Sequence, residues 1–421
     1  MIGPSRFTDE ETYRATRLPV DLASTLTPAA YTSDEFFDVE RERVFGRGWV
    51  GAACASEVAE AGDTVVAELA GRSAIVVRGQ DGVLRAFENV CRHRGSRLLE
   101  PGRCRLPKHI KCPYHSWAYA LDGRLLGTPL FTADSEVPVD QRGIFDMEDV
   151  RDFDKADYGL LPLPVEAWGP LVLLSFEPDP PALADQLGDL PRRLAGYGLD
   201  RFELQRHKRY EIGANYKLIA ENFMEYYHLP WVHPSLVKVS PMKAHYRWQG
   251  HGMYTGMCTS PIAADTEDGG WLGLPAIDGL NESDAVSARF AWVFPNVALN
   301  VLPNHIFVML TRPEAPGSTV EDTYLLADPD ASATPGGEAA VHGLHRFWDQ
   351  VNREDIEIVE RVQRGISTTS YAGGRMCYRF EEPLHRFQNM VVDRMVGIDR
   401  VPPGDDEEQV PMFPEPHAIA P

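Results

Sequence analysis

The chain has 421 residues, 43% of them apolar, enough for two or three domains with cores of their own. Lysine and arginine number 41 against 62 aspartates and glutamates, a net charge of −21 with no arginine-rich run, which excludes nucleic acid as an expected partner. Six cysteines are too few for a disulfide framework, and no apolar leader or stretch of roughly 18 to 20 apolar residues is found, so the chain reads as cytoplasmic with no membrane partner.

In chain order, the first expected element is a helix between Ser33 and Trp49, where Ser33 is a cap candidate and Phe36, Phe37, Val44 and Phe45 recur with helical period. The pattern then changes. Thr64–Leu69, Ser73–Arg78 and Val83–Phe87 are short β-type runs punctuated by Ala70-Gly71 and Asp81-Gly82, which predicts successive hairpins of an antiparallel domain. At the hairpin tips stand two loops, Cys91-Arg92-His93 and Cys112-Pro113-Tyr114-His115. Each offers one thiolate and one imidazole. Two sulfurs and two nitrogens are the ligand set of a Rieske [2Fe-2S] centre, in which two histidines replace two cysteines on one iron. A structural zinc site is the rival, although zinc fingers group their cysteines and their histidines, whereas these interleave. Cys104 and His109 lie between the loops at a spacing that fits the two-lobed pattern less well.

Prolines cluster between Leu161 and Pro191, which marks a domain boundary after a strand at Leu171–Phe176. Beyond it come a helix over Asn215–Leu229, strands at Phe290–Phe294, Val297–Leu302, His305–Thr311 and Thr323–Leu326, and a helix over Ala339–Gly365. Helices before and after a run of strands argue for an α+β domain with an antiparallel sheet. Residues Val401–Pro421, rich in proline and acid, read as a poorly ordered or draped tail. The expected bounds are 45–160, 190–400 and 401–421.

Glu225 and His228 stand i, i+3, and Pro230 is expected to end their helix so that His233 returns to the same side. Histidines near a helix end are also commonly satisfied by its last carbonyls. A 2-His-1-carboxylate triad that binds Fe(II) needs its acid from another element. Asp355 is the candidate, on a stripe with Val359 and Val362; Glu354 is its nearest competitor, and Glu357, Glu360, Arg361 and Arg364 read as a solvated face. Tyr226, Tyr227, Trp231, Trp248, Phe290, Trp292 and Phe294 are candidates to line a pocket, although the alternating Phe290, Trp292 and Phe294 could instead be one face of a strand packed in the core.

The two loops, the run Glu221-Asn222-x-x-Glu225-x-Tyr227-His228-x4-His233-Pro234 and the later Asp355-x7-Gln363-Arg364-Gly365 resemble the Rieske non-haem iron oxygenase α subunits from about Glu35 to Asp393. In motif the chain is most similar to their choline, glycine betaine and carnitine monooxygenase branch. The resemblance implies an N-terminal antiparallel β Rieske domain and a C-terminal helix-grip (START-like) catalytic domain. It implies a [2Fe-2S] cluster on Cys91, His93, Cys112 and His115, and mononuclear Fe(II) on His228, His233 and Asp355. Glu225 falls where the family has an acidic residue that links a catalytic histidine to a Rieske histidine of the neighbouring subunit. The implied enzyme takes O2 and a small substrate, draws electrons from NAD(P)H through a separate reductase or ferredoxin, and works as a homotrimer. Oxidative N-demethylation of a quaternary amine is the first expected reaction, aromatic ring hydroxylation the second. An electron-transfer Rieske protein without oxygenase activity is the reading from another class.

Overall fold

The computed structural model describes residues 5–131, 149–262 and 273–412. Two compact units emerge: one runs from Ala52 to Pro180, the other joins Met1–Gly51 to Pro181–Pro421. The first unit thus extends past the expected end at 160, and the residues before 45 belong with the second unit. No described helix is long and apolar enough to cross a membrane.

The first unit is built from short strands: β1 (Val50–Cys54, beginning at the boundary), β2 (Asp63–Leu69), β3 (Arg72–Arg78), β4 (Leu84–Glu88), β5 (Gly102–Arg105), β6 (His109–Lys111), β7 (Ala118–Ala120), β8 (Leu125–Gly127), β9 (Pro162–Leu163), β10 (Val165–Trp168) and β11 (Leu171–Leu174). They form sheets ordered β5-β2-β3-β4-β9, β6-β7-β8 and β1-β11-β10. The β2–β3 hairpin turns on Ala70 (φ 49°) and Gly71 (φ 79°), a pair of left-handed residues whose twist matches the flanking strands. Val66, Ile75, Phe87, Ile110, Trp117 and Tyr119 pack into one core with Cys91 and Cys112, so both thiols sit at the edge of the hydrophobic interior.

Near its start the second unit carries α1 (Asp34–Arg43), capped by Ser33 Oγ, which accepts from Phe36 N. Its sheet has eight strands: β12 (Glu203–Ile212), β13 (His245–Arg247), β14 (Tyr254–Thr259), β15 (Ala288–Val293), β16 (Val297–Val301), β17 (His305–Ala315), β18 (Ser318–Ala327) and β19 (Val410–Pro411). Their order is β12-β18-β17-β16-β15-β14-β13-β19, antiparallel throughout. Among its helices are α2 (Tyr216–Phe223), α3 (Leu229–Val232), α4 (Gly337–Ile366) and α5 (Glu382–Val396). A helix-and-antiparallel-sheet unit of this kind is the α+β architecture the sequence led us to expect. Strand β12 escaped the sequence reading because its residues, Glu-Leu-Gln-Arg-His-Lys-Arg-Tyr-Glu-Ile, are charged on both faces. The tail is draped at least as far as Met412: β19 pairs with β13, and Asp405 receives Arg247 Nε at 2.8 Å. The rest of the tail, 413–421, lies outside the described residues.

Candidate metal centres

In the first unit, two loops of the same design present the predicted ligands. Cys91 N donates to Ser96 O at 2.8 Å and Gly95 N to Cys91 O at 3.0 Å; in the second loop Cys112 N donates to Trp117 O at 2.7 Å and Ser116 N to Cys112 O at 3.1 Å. The fourth residue after each cysteine takes a left-handed conformation, Gly95 at φ 72° and Ser116 at φ 59°. Asn89, 4% exposed, holds the first loop shut: its Oδ1 accepts from Leu98 N and Leu99 N, both at 3.1 Å, and its Nδ2 donates to Leu99 O at 2.8 Å.

The side chains converge. The His93 and His115 rings lie 4.7 Å apart, and His93 stacks on the buried Trp117 at 4.8 Å. Tyr119 Oη lies 3.3 Å from Cys91 Sγ. Burial raises the Cys91 thiol, whereas at Cys112 burial is outweighed by the backbone N–H groups of Tyr114 and His115, which hold that thiol down. His93 Nδ1 is buried and has no hydrogen-bond partner. An orphaned ring nitrogen beside two buried thiols and a second imidazole is a donor set that a [2Fe-2S] cluster would complete. Cys104 is exposed on β5 and His109 is exposed on β6, so neither joins this group.

In the second unit the expected helix over Asn215–Leu229 stops at Phe223. The reason is local. Glu225 turns its carboxylate back onto the chain, where Oε2 accepts from the N–H groups of Tyr227 and His228, an alternative to helical bonding. Pro230, expected to end a helix, instead sits in the first turn of α3, where no N–H is required. His228 and His233 therefore flank a one-turn helix, their rings 5.1 Å apart.

The ligand atoms of His228, His233 and Asp355 all lie within 4.8 Å of one another. Asp355 Oδ1 is 2.8 Å from His233 Nε2, 3.5 Å from His228 Nε2 and accepts from Asn222 Nδ2 at 2.6 Å. Each imidazole has a second carboxylate behind it: His228 Nδ1 meets Glu225 Oε1 at 2.5 Å, and His233 Nδ1 meets Glu354 Oε2 at 2.7 Å. Glu354, read as a competitor of Asp355, is thus a partner of His233. A carboxylate on the far nitrogen fixes ring orientation and leaves Nε2 free toward the centre. Burial alone would depress the His228 ring, but Glu225 and Asp355 lift it to about 10; burial is likewise outweighed at His233 by Asp355 and Glu354. Burial would raise Asp355, yet the two rings hold it well below the usual carboxylate range. Three carboxylates around two imidazoles form a concentration of negative charge that a divalent cation suits, and two nitrogens with one oxygen on one side are the donors of a facial triad.

The triad borders a cavity walled by Phe223, Tyr226, Met257, Phe290 and Trp348 among others. Of the aromatics considered from sequence, only Tyr226 and Phe290 are among its lining residues. Trp248, Trp292 and Phe294 are buried in the core, while Tyr227 and Trp231 are exposed, the latter at 80%. Val362 is also exposed, so the stripe around Asp355 comprises the buried Asn352, Val359 and Gln363 instead. Glu360 is not simply solvated: its Oε1 accepts from Gly213 N at 2.9 Å. Trp348 was missed, yet it precedes Asp355 by two helical turns and shares its face, a spacing visible in the sequence.

Residues 48–140 match the Rieske [2Fe-2S] domain, and residues 199–397 match the ring hydroxylating alpha subunit (catalytic domain). The chain is 26% identical over 408 residues to the glycine betaine monooxygenase oxygenase subunit of Pseudomonas aeruginosa, covering 90% of each chain. It is 28% identical over 356 residues to the carnitine monooxygenase oxygenase subunit of Escherichia coli, covering 83% of this chain and 86% of that one. A solved quaternary ammonium Rieske monooxygenase, described with inter-subunit electron transfer, superposes with a TM-score of 0.74 at 26% identity, over 89% of this chain and 96% of that one.

Proposed function

Because the chain belongs to the Rieske non-haem iron oxygenases, joining a Rieske domain to a ring-hydroxylating α-subunit catalytic domain, we propose that Cys91, His93, Cys112 and His115 hold its [2Fe-2S] cluster and that His228, His233 and Asp355 hold its mononuclear iron. We further propose that it hydroxylates a methyl carbon bound to the nitrogen of a quaternary or tertiary amine. The observation that carries the reading is the convergence of two imidazole nitrogens and one carboxylate oxygen beside an aromatic-walled cavity.

When bound, the cluster stores one electron at a time and the iron supplies the metal chemistry that activates O2. The residues around them have separable duties. Glu225 and Glu354 orient the two imidazoles, and Asn222 fixes the shared Asp355 oxygen. Phe223, Tyr226, Phe290 and Trp348 wall the cavity, where an aromatic contact to a cation is worth roughly 0.5 to 2 kcal/mol, and they keep water from the reacting carbon. Overall, an N-methyl group, O2, two electrons and two protons give an N-hydroxymethyl group and water. The hydroxymethyl group then leaves as formaldehyde, releasing the amine and a proton. That collapse needs no further protein group.

The electrons come from NAD(P)H through a separate reductase or ferredoxin, and the working assembly is a homotrimer in which Glu225 connects the iron of one subunit to the cluster of the next. Support for this comes from the inter-subunit electron transfer described for the quaternary ammonium relative and from the placement of Glu225 on His228. The test is formaldehyde release tied to O2 consumption with a panel of methylated amines, alongside iron analysis. About three iron atoms per chain and stoichiometric formaldehyde are expected. Tight coupling to an aromatic substrate, with no formaldehyde from any amine, would move the enzyme to ring hydroxylation.

A further inference from the structure

The cavity floor is one row of cross-strand neighbours. Met257 on β14 faces Phe290 on β15, which faces Asn300 on β16, which faces Phe307 on β17. Directly paired residues project to the same face of a sheet, so these four side chains share one surface. Met257, Phe290 and Asn300 line the cavity, and Phe307 stacks at 4.8 Å on Trp348, which lines it too.

Asn300 is the one polar member of that row. It is 1% exposed, and its Nδ2 donates to Phe307 O at 3.0 Å. A carbonyl partner fixes which end of the amide is nitrogen, and the remaining atom, Oδ1, is buried with no partner. A lone acceptor among apolar neighbours is costly unless something donates to it. The charge of the wall is equally informative. Among the described residues that line the cavity there is no lysine and no arginine. The buried Arg289 adjoins Phe290 in β15 and therefore points to the opposite face, where it pairs with Asp284 at 3.0 Å. Apart from the metal that the triad would hold, a substrate carboxylate entering this cavity would meet, among the described residues, aromatic rings, amides and other carboxylates, with no lysine or arginine to offset its lost hydration.

We propose that Asn300 Oδ1 accepts a hydrogen bond from a hydroxyl group of the substrate, so that the enzyme selects hydroxylated, carboxylate-free alkylammonium compounds, the amino-alcohol class, over betaine-type amino acids. For a quaternary substrate the donor has to be a hydroxyl, because such a nitrogen carries no N–H of its own. The inference rests on the amine-oxidising reading above, and names which amines that site takes.

The holoenzyme with its reductase would be offered choline and ethyltrimethylammonium, which differ only in the hydroxyl, then the same pair one methylene longer, then glycine betaine and carnitine. O2 uptake would give kcat/KM, and anaerobic calorimetry would give Kd. Each hydroxylated compound should be preferred over its deoxy partner by roughly tenfold or more in both measurements, and the carboxylated amines should be the poorest ligands. In Asn300→Leu the hydroxyl preference should shrink to about one. The wild-type comparison stands without the variant, should Asn300→Leu fold poorly. Equal values within each pair would overturn the proposal, since Oδ1 would then be satisfied by water, and so would a preference for glycine betaine or carnitine. Absence of binding and turnover with every amine would instead refute the amine reading itself.

Discussion

Ser116 occupies in the second ligand loop the conformation that Gly95 occupies in the first, at a strain of roughly 1 kcal/mol for a residue with a Cβ. Ser116→Gly should therefore leave thermal stability within about 1 kcal/mol of the parent, the relief offsetting the freedom gained by the unfolded chain. Ser116→Val should lower it by about 1 to 3 kcal/mol and bleed cluster absorbance on standing, because a β-branched residue resists positive φ. Tyr119 is placed to act on the potential of a cluster held by Cys91. Its oxygen accepts from Arg92 N at 3.1 Å, so its own proton is free for Cys91 Sγ, where it would stabilise the more negative, reduced cluster. Tyr119→Phe should lower the midpoint potential by about 20 to 60 mV, read by spectroscopic titration, with iron content unchanged. At the other centre, Glu354→Ala frees the His233 ring; iron affinity should fall roughly 10- to 100-fold while the cluster spectrum persists.

Between elements of the second unit, Lys217 of α2 pairs with Glu40 of α1, both fully buried, Nζ lying 2.9 Å from each carboxylate oxygen. Removing one partner strands the other charge. Lys217→Met should cost about 3 to 5 kcal/mol in denaturant unfolding, whereas the double variant with Glu40→Leu should recover much of the loss. This tie also explains what sequence could and could not reveal. The hairpins of the first unit, the ligand loops and the long helix carrying Asp355 were legible because each depends on short-range signals: turn dipeptides, interleaved Cys and His, and 3.6-residue periodicity. The membership of α1 in the second unit depends on a pairing across 177 positions, which no local pattern encodes. The break after Phe223 was hidden for a different reason: Glu225 reads as a good helix former until its carboxylate is seen bonded to the N–H of His228. Glu354 was legible as an acid near the centre, but its choice of His233 Nδ1 is a matter of three-dimensional placement.

For the whole molecule, the proposed electron route makes activity a property of the assembly. A subunit lacking the cluster through Cys112→Ala and one lacking the iron through His228→Ala should each be inactive alone, and co-assembled trimers should regain part of the turnover; failure to regain any, with each surviving centre intact, would place both steps within one chain. Glu225→Gln should keep both metals and lose most product formation, because the oriented contact to His228 Nδ1 is weakened. The division of the chain has a further bearing. The first unit is complete at Pro180, while the second begins before Ala52 and needs residues from Pro181 onward. During translation, then, the iron-sulfur unit emerges whole when α1 still has none of its later partners, and Glu40 must wait in solvent for Lys217 to be synthesised.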